Sequence, residues 1–192
     1  MKRGFKSECE SMATAVRGEM GLESHAPLKA RDLATYLDIP LHPLSVLIEA
    51  NGNGVAAAIR HVRANSSVLS AMTIFPEWPR PRRVIIFNES NSEARQNSDV
   101  AHELAHGLLL HEPRHPIVNG CRDYSKLDED EAAWLSGCLL VPREAALAVA
   151  VAQTPMGVAA TEYGVSTQMM TYRVNSTGAR KQAEARWRWR SA

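Results

Sequence analysis

The sequence predicts an α+β fold, on three observations. Apolar residues recur at helical spacing over most of the chain. Two short runs rich in β-branched and aromatic residues, Val68 to Phe75 and Arg83 to Phe87, lie together near its middle. Proline-bearing breaks separate these stretches from one another. With 192 residues, 45% of them hydrophobic, the chain is long enough for one substantial core and is not disordered as a whole. Its 22 Lys+Arg against 21 Asp+Glu leave a formal net charge of +1, so bulk charge gives no argument for a nucleic-acid or membrane partner.

The elements follow in order. From Lys6 to Met20 the apolar residues Cys9, Met12, Ala13, Val16 and Met20 fall on one helical face, and Gly21 is placed to stop the helix. A second short helix is expected from Leu28 to Leu37; Pro40 blocks its continuation and leaves Ile39 to Leu44 extended. Asn51 to Gly54 reads as a turn cluster. The two β runs flank Pro76 to Pro81 and predict a hairpin with a proline-stiffened loop. Ser90-Asn-Ser-Glu93 has the spacing of a capping box before a long helix whose end is expected near His111, since Pro113 and Pro116 follow. After a loop from Gly120 to Lys126, Asp128 to Val141 reads as a buried helix stopped by Pro142, and another helix begins near Arg143.

Pro155 sets off a C-terminal segment. Val158 to Val174 has the rhythm of a helix-turn-helix, with Gly164 at the turn and Ser166 capping the second helix. As a DNA reader that helix would offer Thr167, Gln168, Thr171 and Arg173; an ordinary helical pair packed on the preceding domain is the favoured alternative. Arg180 to Arg190 mixes cations with Trp187 and Trp189 and reads as a flexible basic tail capable of weak phosphate contact. The expected division is therefore a main domain over 1–154, the helix-turn-helix-like segment over 155–178 and a tail over 179–192.

Cys9, Cys121 and Cys138 are few, odd in number and scattered, which offers neither a disulfide framework nor a paired metal motif and fits a reducing compartment. No apolar segment follows the basic N-terminus, and no uncharged apolar run is long enough to span a bilayer, so a soluble, cytoplasmic protein without a membrane partner is expected.

The chemistry-bearing motif is His102-Glu-Leu-Ala-His106, inside the most strongly patterned helix. Residues four apart on a helix stack on one face, roughly 5–6 Å between Cβ atoms, so both imidazoles can converge on one Zn²⁺ at about 2.0–2.1 Å each. Glu103 is rotated away from both, poorly placed as a ligand but within reach of a water on the metal, whose proton it can take and pass to a leaving amine. A zinc of this kind needs a third protein ligand. The acidic run Asp128-Glu-Asp-Glu131 is its obvious source: Ala132, Ala133, Ser136 and Gly137 would allow a close approach to the HELAH helix, and Glu129 shares a face with Ala133, Ser136 and Leu140. Periodicity alone leaves Asp128 and Glu131 open. His111 and His115 are rivals, with solvent exposure the favoured fate of both. Tyr124 and His115 are candidates for stabilising an oxyanion.

The stretches SDVAHELAHGLLLHEP and DEDEAAWLSGCLLVPREA resemble the ImmA/IrrE family of metallo-endopeptidases, which carries HExxH on one helix and E-x-E-A-x-x-(F/W)-(A/S)-x-x-L-(L/M)-x-P on the next. Weaker likeness extends through RGFKSECE, PLKARDLATYLDIP, VIIFNESNSEARQNSDVAHE and EYGVSTQMMTYRVNSTG, nearly the whole chain. The resemblance implies a zincin-like domain in which Glu129 joins His102 and His106 as ligand and Glu103 is the catalytic base. It further implies a Zn²⁺ cofactor, with Mn²⁺ possible in a set of this kind, and a helix-turn-helix transcriptional repressor as the protein cleaved. Ala133 stands where members of the family often carry an asparagine that braces the metal site, so bracing must come from elsewhere in this chain. The rival functions are a DNA-binding regulator and a repressor-binding sensor whose metal site does no proteolysis.

Overall fold

The structure is a computed structural model describing residues 1–47, 60–61, 63, 65, 69–75, 83–111 and 125–190. The turn cluster at 51–54, the proline loop at 76–81, Cys121, and both oxyanion candidates, His115 and Tyr124, lie outside the described residues. Among those described, eight α-helices and a three-stranded sheet confirm the α+β class. The helices are α1 (Phe5–Glu19), α2 (Ala30–Tyr36), α3 (Glu93–Leu108), α4 (Lys126–Leu140), α5 (Arg143–Val151), α6 (Met156–Glu162), α7 (Thr167–Ser176) and α8 (Ala179–Arg190). The strands are β1 (Leu41–Pro43), β2 (Ala71–Ile74) and β3 (Val84–Phe87). No single described helix is long and apolar enough to cross a membrane.

The chain divides into two compact units, Ala30–Glu129 and Met1–Lys29 with Asp130–Ala192, a different division from a break at residue 154. In the first unit β3 is the central strand. It pairs antiparallel with β2 (Thr73 opposite Ile85) and parallel with β1 (His42 opposite Ile86). The hairpin pairing matches the sequence. The parallel partner does not show in it, because β1 is only three residues long and its partner lies over forty residues away. Pro43 is tolerated because β1 is an edge strand, where a missing N–H costs no ladder bond.

Side chains alternate across the sheet. Ile86 with Leu44, and around them Met72, Ile74 and Val84, form an apolar cluster on one face. Thr73 belongs to the other face, which packs against α3, because its hydroxyl reaches Glu103 there. The α3 residues Val100, Ala101, Leu104 and Ala105 are buried. Asn97 of α3 also accepts the Ala30 N–H at 2.7 Å, satisfying an orphan donor at the start of α2.

Two details of α3 correct the sequence reading. The helix starts at Glu93 with Ser92, not Ser90, as N-cap: Ser92 Oγ accepts the Arg95 N–H at 3.4 Å, while the Ser90 N–H donates to Asn88 Oδ1 in a turn of its own. It ends at Leu108, before either proline, in a left-handed turn at Leu110.

The second unit is helical. α1 ends as expected, with Gly21 at φ +70° and the Leu22 and Gly21 N–H groups donating to the Arg17 and Gly18 carbonyls. α6 and α7 form the anticipated pair, with Gly164 at φ +60° and the Ser166 hydroxyl accepting the Met169 N–H. Three features differ from expectation. The segment read as a tail is α8, which buries Ala179 and Ala183 and packs on α5 and α7. Arg173, offered above as a DNA contact, is 1% exposed, donating from Nε to the Val141 carbonyl at 2.8 Å and from Nη2 to Glu10. Gly137 gives room to the Arg173 side chain, whose Cδ would lie 3.2 Å from a Cβ there. The small residue thus makes room for an arginine.

Candidate metal centre

All the polar groups described next belong to the unit Ala30–Glu129. The α3 helix sets His102 and His106 one turn apart, with Nε2 atoms 3.1 Å apart and rings edge-on at 73°. Glu129, in the first turn of α4, brings Oε2 to 3.1 Å from His102 Nε2 and Oε1 to 3.4 Å from His106 Nε2. One donor atom from each of the three lies within 4.8 Å of the others.

The acidic run resolves through local capping. Ser125 Oγ accepts the Asp128 N–H at 3.0 Å and Asp128 Oδ2 accepts the Ser125 N–H at 3.1 Å. That reciprocal box spends Asp128 on the helix terminus and leaves Glu129, one position on, facing the histidines.

These donors suit a cation. Two donors each about 2.0–2.1 Å from a tetrahedral ion stand about 3.3 Å apart, which is the spacing observed. Two imidazole nitrogens and a carboxylate are all lone-pair groups. A shared proton satisfies one pair of them, whereas a metal satisfies all three. His106 is 2% exposed. Burial first, then the neighbouring His102 and His111, pushes its imidazole down to about 3, with Arg83 adding to the effect and Asp128 opposing it. His106 is thus neutral at ordinary pH, the form a metal requires.

Glu103 meets β2: Thr73 Oγ1 donates to Glu103 Oε2 at 2.5 Å. Thr73 is 3% exposed, so this side of the carboxylate is anchored within the fold. One turn further along the same helix face, Gly107 leaves space that the Arg83 guanidinium fills, and a Cβ there would collide with it. This accounts for a glycine inside a helix, where it costs about 1 kcal/mol relative to alanine.

Sequence reasoning missed Thr73 and Arg83, since a threonine in a strand and an arginine beside a run of prolines carry no local signal. It also misjudged His111, which is half-buried with Nδ1 3.0 Å from His106 Nδ1.

An α+β fold with two imidazoles from one helix and a carboxylate from the next defines a metallopeptidase-type domain. The family described as the IrrE N-terminal-like domain, a peptidase family, matches residues 57–175, and the chain belongs to it. No curated protein and no solved structure is detectably similar to the chain.

Proposed function

We propose that the protein is a zinc-dependent endopeptidase in which His102, His106 and Glu129 hold the metal and Glu103 is the general base. The observation that supports this reading is the convergence of three lone-pair donors, 3.1–3.4 Å apart, beside a carboxylate fixed by a different partner. A metal held by these residues would supply Lewis acidity, lowering the pKa of a water and polarising a scissile carbonyl. Glu103 accepts that water's proton on its carboxylate and returns it to the leaving amine. Thr73 holds one oxygen of that carboxylate against β2. His106 contributes a neutral ring from a buried position, while the more exposed His102 and Glu129 lie toward the side a substrate can approach.

The substrate in this proposal is a helix-turn-helix transcriptional repressor, a reading that rests on the family resemblance. The test is coexpression with candidate repressors. Cleavage is expected with the wild type and should fall by about 10²–10⁴ in Glu103→Gln, with one equivalent of metal still bound. Purified protein without stoichiometric transition metal would overturn the reading, as would cleavage that persists in the variant.

The α6–α7 pair, with its turn at Gly164 and cap at Ser166, favours a second reading as a DNA-binding regulator. That reading is weaker, because burial of Arg173 removes the one cation of α7 from the surface. DNA retention by the apo protein in a gel shift, unchanged by Glu103→Gln, would favour it.

A further inference from the structure

The end of α3 is built in an unusual way. Its last turn closes with the Leu110 N–H on the Gly107 carbonyl at 3.1 Å and the His111 N–H on the His106 carbonyl at 3.0 Å. This closure needs a left-handed residue, a place usually held by glycine or asparagine. Here it is Leu110, at φ +56° and 81% exposed. A branched, solvent-facing residue in that conformation is strained and buries little in return.

The geometric result is at His111. On a continued helix it would stand about 140° round from His106, out of reach. The left-handed turn instead folds it back, and its Nδ1 comes within 3.0 Å of His106 Nδ1, with ring centroids 5.1 Å apart and the rings inclined at 67°. His106 is therefore held twice by the same residue, at its carbonyl by the His111 N–H and at its ring by the His111 imidazole.

Tautomer chemistry gives this contact a direction. A neutral imidazole carries one N–H and one lone pair. If His106 presents Nε2 to a metal, its proton sits on Nδ1 and needs an acceptor. The His111 Nδ1 lone pair lies at hydrogen-bonding distance from it, and His111 then carries its own proton on Nε2. We propose that His111 is a positioning residue for the metal centre: its Nδ1 accepts the His106 Nδ1–H, fixing the ring's tautomer and orientation so that Nε2 faces His102 and Glu129. The proposal rests on the metal-site reading above. His111 is not itself a ligand in it, because its near nitrogen faces the side of His106 opposite the donor cluster.

The test measures zinc affinity by competition with a chromogenic chelator at about neutral pH, alongside the thermal midpoint of the metal-free protein. His111→Leu removes the acceptor and should weaken zinc binding about 10–100-fold with little change in the metal-free midpoint. His111→Asn keeps an acceptor oxygen and should restore affinity to within a few-fold of wild type. Equal affinity in wild type and His111→Leu would overturn the proposal. Equal loss in both variants would also overturn it, since the ring's bulk rather than its lone pair would then be what matters.

A second measurement needs no variant. Long-range ¹H–¹⁵N correlation of the zinc-loaded wild type should show His106 metal-bound through Nε2 and protonated at Nδ1. Coordination through Nδ1 overturns the proposal while leaving the metal site intact. Absence of zinc from the wild type overturns the metal-site reading itself, so the two failures are distinguishable.

Discussion

In the helical unit the buried cations are bound up with neighbouring oxygens. Arg17 donates from Nε, Nη1 and Nη2 to the Ala26, Ala13 and Leu139 carbonyls, and Arg173 to the Val141 carbonyl and Glu10. In the unit from Ala30 to Glu129 the clustered groups are His102, His106 and Glu129, whose ring nitrogens and carboxylate oxygens converge within 3.1–3.4 Å. Both arrangements carry buried polar groups, Arg17 and Arg173 in the one and His106 in the other, and burial penalises each of these. The difference is in their partners. Each arginine meets fold-supplied oxygens, two of them carbonyls at the end of α4, while Arg173 Nη1 is buried without a hydrogen-bond partner. The three donors instead converge on one another, around a place that suits a cation. A cluster made of lone-pair donors alone points to a ligand; a cluster that closes on itself points to architecture.

The largest effect should come from opening the closed cluster. Arg173→Met removes the cation from Glu10, which keeps the Arg143 N–H at 3.0 Å, and unfolding by denaturant should show a loss of about 3–5 kcal/mol. The double variant with Glu10→Met should recover part of it. An Arg173→Met protein as stable as wild type would mean that the arginine is not the brace its contacts suggest.

Alkaline pH probes the same unit next. Burial, aided by Glu10, Glu131 and Glu8, pushes the Cys9 thiol up to about 12, and burial also raises Cys138. An unfolded thiol titrates near 9.0. The folded state thus keeps protons that the unfolded state gives up, and this contribution is complete below about pH 9 and lost as pH rises toward the folded value. Between about pH 9 and 10, before Arg17 reaches its lowered value of about 10, stability should fall by about 1 kcal/mol for each such thiol. The urea midpoint followed over that window should become flatter in Cys9→Ala/Cys138→Ala.

At the open cluster, Thr73→Val deletes the hydroxyl that holds Glu103 while preserving shape. Loss of one hydrogen bond to a charged group should lower kcat about tenfold, with metal content and thermal midpoint nearly unchanged. An unaltered kcat would show that Glu103 needs no anchor from β2.

The smallest effect tests the strained turn. Leu110→Gly supplies the residue that a left-handed position favours and should raise stability by about 0.5–1 kcal/mol, while zinc affinity holds. A destabilised variant would mean that the leucine makes a contact worth more than its strain.

The helices other than α8, the hairpin strands and the paired imidazoles of α3 could be read from the sequence because they depend on spacing along a few turns of chain. Gly21 and Gly164 ended and turned their helices where the sequence placed them, for the same reason. The acidic run at 128–131 could not be resolved by spacing, since neighbouring carboxylates differ only in which way the folded helix turns them; in the structure Asp128 is engaged with Ser125 at the helix start and Glu129 approaches the histidines. Thr73 beneath Glu103, β1 beside β3, Arg173 in the interior and His111 folded onto His106 were likewise settled only in three dimensions. Periodicity along a chain fixes the direction of a side chain within its own element. What that side chain meets depends on the packing of residues tens of positions away, and in the case of His111 on one backbone angle whose sign no local pattern announces.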